Sequence, residues 1–215
     1  MRNKAKSLKP IFIEVVVKKV DANIKSGYTK TVNALNYIAK IYKPSLASKS
    51  PIEIPSLSRA ELAKVFTNLG FTKGAQVGVW DGAYSKILCT ANPKLTLFGI
   101  DINSKTDRRA VSGNCRLVRL KSQDAAKKIV DESLDFVYLD TDGDFSSQTS
   151  DIHAWSKKVR RGGIIAGHDY FRYRSSCAIR CFEAIHAYTQ AYRISPWFVI
   201  GRNTDRVRSW FWAKA

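Results

Sequence analysis

Cysteine, methionine, histidine and proline are all sparse in this chain. Its four cysteines (Cys89, Cys115, Cys177, Cys181) are too few and too scattered for a disulfide scaffold. A reducing, cytoplasmic compartment is therefore expected. No apolar run reaches the roughly 18 residues that a membrane span needs. The segment Ile11 to Val17 is short and carries Glu14. Lys18 and Lys19 follow it without a small-residue cleavage site, so a secretory signal is not expected. Acidic side chains are scarce relative to basic ones: 18 Asp and Glu stand against 36 Lys and Arg, a net charge of +18.

What is present describes a folded chain. Hydrophobic residues make up 45% of 215 positions, enough for one α/β domain with an extension and too many for wholesale disorder. The positive field attracts polyanions, which makes nucleic acid or an acidic acceptor a candidate partner. A solvated lysine-rich surface accounts for the same charge. Lysine is dense in residues 1–55, which read as a basic extension: an extended arm over Ile11 to Val17, then a helix from Thr29 to Tyr42. Pro44, Pro51 and Pro55 mark a linker, and residues 56–215 read as the main domain.

Within that domain, strand and helix patterns alternate. Ser58-Arg59-Ala60-Glu61 is a capping box that opens a helix to Leu69, closed by Gly70. Strands are expected over Ala75 to Val79, Leu95 to Ile100, Arg116 to Leu120, Leu134 to Leu139 and Ile164 to Ala166. Helices are expected over Tyr84 to Ala91, Asp124 to Val130, Ser146 to Val159 and Cys177 to Ala191. Trp197 to Ile200 and Ser209 to Trp212 form a closing hairpin. The expected fold is a Rossmann-like, doubly wound α/β/α sandwich. Its sheet is seven-stranded and mainly parallel, with a C-terminal antiparallel hairpin.

Ligands of such sheets sit at the carboxyl ends of the strands. Gly78 to Ser85, Asp101, Ser122, Asp140 to Asp144 and Gly167 to Tyr170 converge there. The turn reads Gly78-Val79-Trp80-Asp81-Gly82. A dinucleotide loop needs a glycine where Trp80 stands, so NAD is disfavoured. Asp101 ends the second strand, where a carboxylate accepts the hydroxyls of a ribose; capping a following helix at Asp101-Ile102-Asn103-Ser104 is its alternative role.

Residues 74–85, 133–142 and 161–170 resemble, in order and spacing, the motifs of class I S-adenosylmethionine-dependent methyltransferases. The last of these is similar to the small bacterial and phage enzymes of methyltransferase family 24. The likeness spans about residues 57 to 213. It implies a cofactor, S-adenosylmethionine, lying against Gln76, Gly78, Val79, Trp80, Gly82, Ser85, Asp101, Ile102, Ser122, Gln123 and Asp140. Gln76 replaces a common acid, Gly143 a histidine and Phe145 a tyrosine, so the substrate side departs most from the family.

Asp140, His168 and Asp169 are the catalytic candidates. His168 is the favoured general base, because an imidazole titrates near neutrality. Mg²⁺ on Asp140 with His168 or Asp169 is the less favoured arrangement, since histidine is a poor Mg²⁺ ligand and Asp169 can cap a helix. Asp142 and Asp144 are further carboxylates at this edge. Arg172 and Arg174 suit an acidic acceptor or a solvated loop. Cys177 and Cys181, His153 and His186, and the hairpin aromatics read as packing residues. The expected activity is methyl transfer to an unidentified acceptor, with an oxygen of a small molecule in the lead. An RNA- or DNA-directed methyltransferase is the alternative. A catalytically silent module binding nucleic acid or protein is a third reading.

Overall fold

A computed structural model describes residues 33–103, 111–174, 177–202 and 207–215. Contacts divide the chain after Thr31, and the described residues all lie in the unit Val32–Ala215. The expected arm at Ile11 to Val17, the start of the Thr29 helix and Ser104 fall outside them.

The elements follow in chain order: α1 (Ala34–Tyr42), β1 (Ile52–Ile54), α2 (Arg59–Asn68), β2 (Lys73–Val77), α3 (Ala83–Ala91), β3 (Thr96–Ile100) and β4 (Cys115–Val118). Then come α4 (Ser122–Ala126), β5 (Leu134–Leu139), α5 (Phe145–Lys158), β6 (Val159–Tyr170), α6 (Cys181–Ala191), β7 (Phe198–Ile200) and β8 (Arg208–Ala213). The sheet runs β1-β7-β8-β6-β5-β2-β3-β4. Among the described strands, only β8 is antiparallel to its neighbours, β6 and β7.

Period-two alternation along β5 shows how the core splits. Phe136 and Tyr138 pack on one face with Leu62 and Phe66 of α2 and Leu88 of α3. Val137 and Leu139 pack on the other with Ile152 and Trp155 of α5 and Ile185 of α6. Each face needs its own helical layer, which makes the three-layer Rossmann-like sandwich. The hairpin aromatics Trp197, Phe198, Trp210, Phe211 and Trp212 are buried in this core. No helix among the described residues is long and apolar enough to cross a membrane.

Among the described residues the sheet has eight strands where seven were expected. Ile52–Ile54 lies parallel to Phe198–Ile200 at an outer edge, where flanking prolines remove no interior ladder bond. Helix α1 and strand β1, read as extension and linker, are thus built into the unit that holds the sheet, with Ala34 and Ile38 buried in its core. Strand β6 begins at Val159, directly after α5, and runs through Gly162-Gly163. Glycine is required at 163 because a Cβ there would strike the Asp135 carbonyl of β5. Helices α4 and α6 are shorter than their apolar patterns suggested.

The N-cap forms as expected, with Ser58 Oγ accepting from Glu61 N at 3.1 Å, while the Glu61 carboxylate accepts from Lys64 Nζ at 2.6 Å. Ser58→Ala should lower the unfolding free energy by about 1 kcal/mol in a denaturant titration. An unchanged midpoint would show that the cap adds nothing to α2.

Candidate active site

Val77 of β2 and Leu139 of β5 are register partners. From β2 the chain goes outward to β3 and β4, then returns to β5 on the other side. That reversal opens a crevice at the carboxyl ends of the two strands. Gly78 and Asp140 stand beside each other in it. Gly78 N donates to Ile100 O and Asp140 N to Val77 O, both at 2.8 Å. Gly78 has φ +84, and a Cβ there would run into the Asp140 carbonyl, so only glycine fits.

The crevice is a cleft of about 570 Å³. Its two ends differ in chemistry. One is walled by Ile100, Ile102 and Leu120, with Asp101 and Ser122 among them. The other carries Arg59, Asp140, Asp142, His168 and Asp169.

At the first end, Asp101 organises the glycine loop. Its Oδ2 accepts from Val79 N at 2.9 Å and from Trp80 N at 2.7 Å. Its Oδ1 accepts from Asn103 N at 2.8 Å, a local turn of the kind the capping alternative anticipated. Trp80 is 72% exposed at the cleft. Gln76 and Ser85 lie beneath the loop and do not line the cleft. Ser85 Oγ donates to Gln76 Oε1 at 2.7 Å, and Gln76 Nε2 donates to Gly78 O at 2.9 Å. A neutral amide satisfies both partners in a buried position without a charge to solvate. Val79 is buried, and Gly82, at φ +83, precedes helix α3.

Below Ser122 lies a buried carboxylate, Asp151 of α5. Its Oδ1 accepts from Ser122 Oγ at 2.6 Å and Gln123 Nε2 at 2.7 Å; its Oδ2 accepts from Thr141 Oγ1 at 3.3 Å. Trp155 Nε1 donates to Ser122 Oγ at 2.9 Å. Gln123 is thus turned to Asp151 and is not among the cleft-lining residues.

At the charged end, Arg59 Nη2 is paired with Asp140 Oδ2. The guanidinium lies 4.0 Å over the Tyr84 ring and 5.2 Å from the Tyr138 ring. His168 Nδ1 is 3.3 Å from Asp140 Oδ1 and 3.4 Å from Asp169 Oδ1. Tyr173 donates to Asp169 Oδ1 at 3.0 Å. The His168 carbonyl accepts from Trp210 Nε1 at 2.9 Å and is 3.1 Å from Cys181 Sγ, which fixes the backbone beneath the ring. Burial pulls the His168 imidazole down, but its hydrogen bonds to Asp140 and Asp169 outweigh burial and raise it to about 9. Burial raises Asp169, and the His168 and Tyr173 contacts override it to leave the carboxyl below its ordinary value. Burial, with Asp169 and Asp140 nearby, pushes Asp142 up. Asp144 instead caps α5 by accepting from Ser147 N at 2.8 Å. Gly143 O accepts from Arg180 N at 3.1 Å, while Phe145 is exposed.

Of the sequence candidates, Gly78, Trp80, Asp101, Ile102, Ser122, Asp140, His168 and Asp169 share the cleft. Arg172 stacks 4.7 Å over Phe182, and Arg174 is exposed. Two participants were missed. Arg59 was read only as part of a capping box, although a cation at the positive end of a helix is unfavourable and wants an external partner. Asp151 sits inside an amphipathic helix pattern, and only its burial reveals it.

Residues 75–170 match a family model described as a methyltransferase domain. No curated protein matches the chain. Among solved structures it is similar to a protein of Nostoc punctiforme assigned as an O-methyltransferase, with a TM-score of 0.59 and 11% identity over 73% of this chain. It is also similar to an O-methyltransferase family protein of Burkholderia thailandensis, at 0.56 and 15% over 73%. This chain spans 55% of the length of each of those two. A protein of Corynebacterium glutamicum matches at 0.55 and 15%, covering 94% of this chain and 97% of its own. At these identities the likeness is one of fold.

The His168 environment is directly measurable. An NMR titration of the imidazole should give a midpoint near 9, and Asp140→Asn should lower it. Its folded value lies above the ordinary 6.5, so protonated His168 favours the fold. That contribution is fully present below about pH 6.5 and fades as pH rises through 9. A midpoint at or below 6.5 would refute the carboxylate cradle.

Proposed function

We propose that this chain is a class I S-adenosylmethionine-dependent methyltransferase that binds its cofactor along the cleft and methylates an oxygen of a small acceptor beside His168. The observation that carries the reading is the cleft itself. It joins an apolar, carboxylate-bearing end to a charged end, across a glycine where strand termini meet. Its volume falls within the roughly 300–1,000 Å³ of small-molecule sites.

The residues fit the cofactor. Ile100, Ile102 and Leu120 offer apolar walls to an adenine, and Asp101 retains carboxylate lone pairs for ribose hydroxyls beside the amides it already accepts. The Gly78 backbone, without a side chain, lets a ligand lie close. S-adenosylmethionine supplies an electrophilic methyl when bound. The chain's own residues then orient the acceptor and take its proton. With Nδ1 donating to the carboxylates, His168 keeps Nε2 as the basic atom, in the manner of an imidazole oriented by a carboxylate. Asp140 and Asp169 make that nitrogen a stronger base and stabilise the imidazolium formed.

Donor atoms of Asp140, His168 and Asp169 all lie within 4.8 Å of one another, close enough for a metal ion. The charges argue against one. Two carboxylates are already balanced by the Arg59 guanidinium and the His168 imidazolium, and a hard divalent cation prefers oxygen donors. The net charge of +18 keeps a polyanionic acceptor as a second reading.

Calorimetry should detect S-adenosylmethionine binding, and Asp101→Ala should abolish it or weaken it on the order of tenfold or more. No binding at millimolar cofactor would sink the reading. Methyl transfer should survive a chelator unchanged. His168→Asn should lower kcat by on the order of 10²–10⁴. The wild-type rate should climb with pH as His168 loses its proton, levelling off above about 9. A rate independent of pH from 6 to 10 would remove His168 as the base.

A further inference from the structure

We propose that Tyr173 is a positioning residue of the reaction: its hydroxyl holds the Asp169 carboxylate, across a bulge in β6, against the ring of His168. The inference rests on the reading of His168 as the base and names the group that keeps one of its two carboxylates in place.

His168 and Asp169 are neighbours in a strand, and successive strand side chains point to opposite faces. Yet both line one cleft, with His168 Nδ1 3.4 Å from Asp169 Oδ1. A bulge brings them together. Gly167 pairs with Trp210 and Tyr170 with Arg208, so β6 advances three residues while β8 advances two. Asp169 takes the left-handed conformation, φ +59, which is uncommon outside glycine. Phe171 N then donates to Asp169 O at 2.7 Å, closing a three-residue turn. The irregular backbone falls on the two residues that the chemistry uses.

Each half of the bulge has its own tether. On the His168 side it comes from β8 and α6: Trp210 Nε1 donates to the His168 carbonyl at 2.9 Å, and Cys181 Sγ lies 3.1 Å from it. On the Asp169 side it is Tyr173, whose hydroxyl donates to Oδ1 at 3.0 Å, the same oxygen that faces the imidazole. The Tyr173 ring meets Phe171 edge-on, with centroids 5.1 Å apart. Tyr173 is not among the residues that line the cleft, so it acts through Asp169.

Electrostatics supply the need for this tether. Around the imidazole stand Asp140 from the end of β5, Arg59 from α2, Cys181 from α6, and Asp169 with Tyr173 beside it. Arg59 is engaged with Asp140. Asp142 is near enough that Asp169 and Asp140 add to burial in pushing its carboxyl up. Like charges therefore drive Asp169 away from its neighbours. A neutral hydroxyl offsets that repulsion without a second cation, which would make His168 a weaker base.

The test is an NMR titration of His168 in the full chain. Tyr173→Phe keeps the ring and removes only the hydroxyl. Asp169 should then turn away, and the imidazole midpoint should fall from about 9 by roughly one pH unit, staying above 6.5 because Asp140 remains. Asp169→Asn should lower it by a similar amount, and the double variant should fall no further than Asp169→Asn alone. The midpoint of the rate against pH should move with the imidazole, while cofactor affinity by calorimetry stays unchanged. In wild-type protein the Tyr173 phenol, followed by carbon NMR, should titrate above its ordinary 10, raised by burial and by Asp169. Asp169→Asn should bring it down, a measurement that stands even if Tyr173→Phe does not fold. The inference is overturned if Tyr173→Phe leaves the imidazole midpoint in place or raises it, if the two variants add, or if Asp169→Asn leaves the phenol unmoved. A wild-type rate independent of pH would remove the reading of His168 as base and this inference with it. An unmoved midpoint beside a pH-dependent rate would overturn the inference alone.

Discussion

The closeness of β2 and β5 at their carboxyl ends is the constraint on which the site depends. Gly78 and the Asp140 carbonyl occupy space that any side chain at 78 would claim. This contact makes the crevice narrow enough for residues from both strands to face one ligand. It also directs the Asp140 side chain toward α2 and the end of β6, where Arg59 and His168 wait. A β-carbon at 78 would separate the strands, and the loop held by Asp101 would lose its register with the charged end.

The two ends of the cleft are held by different physics. At the apolar end, hydrogen bonds converge on carboxylates that serve as scaffolding: Asp101 gathers three backbone amides, and Asp151 gathers the side chains of Ser122, Gln123 and Thr141. These groups are already satisfied, so that end is organised before a ligand arrives. At the other end, two carboxylates, a guanidinium and an imidazole compensate one another in partly solvated surroundings. Asp140 faces both Arg59 and His168, and His168 faces both Asp140 and Asp169, so these two groups each have two partners of opposite sign.

Most of this was legible in the sequence because strand and helix periods are local. The capping box at Ser58, the glycine turn after β2 and the carboxylates at the ends of β3 and β5 all followed from short stretches of chain. The parts that escaped depend on distant partners. Ile52 to Ile54 is too short to show a period, and its strand identity comes only from Phe198 to Ile200. Arg59 acquires its role from Asp140, 81 positions away. Asp151 looks like the polar face of a helix until α4 covers it. Gln76 and Ser85 were placed against the cofactor by resemblance, whereas they bond to each other beneath the loop. Gly162 and Gly163 lie within β6, where 163 must be bare to pass the Asp135 carbonyl.

The outermost pairing of the sheet has a consequence for the order of assembly. β1 leaves its backbone ladder open until β7 exists, and β7 lies close to the end of the chain. During synthesis from the amino end, Ile52 to Ile54 must wait while some 140 residues are made and the helices between them form. Closing that edge is therefore a long-range step with a large loop to bridge. Helix α1 reaches the same core through Ala34 and Ile38, so the first described segment of the polypeptide also draws on strands made much later, β6 and β8.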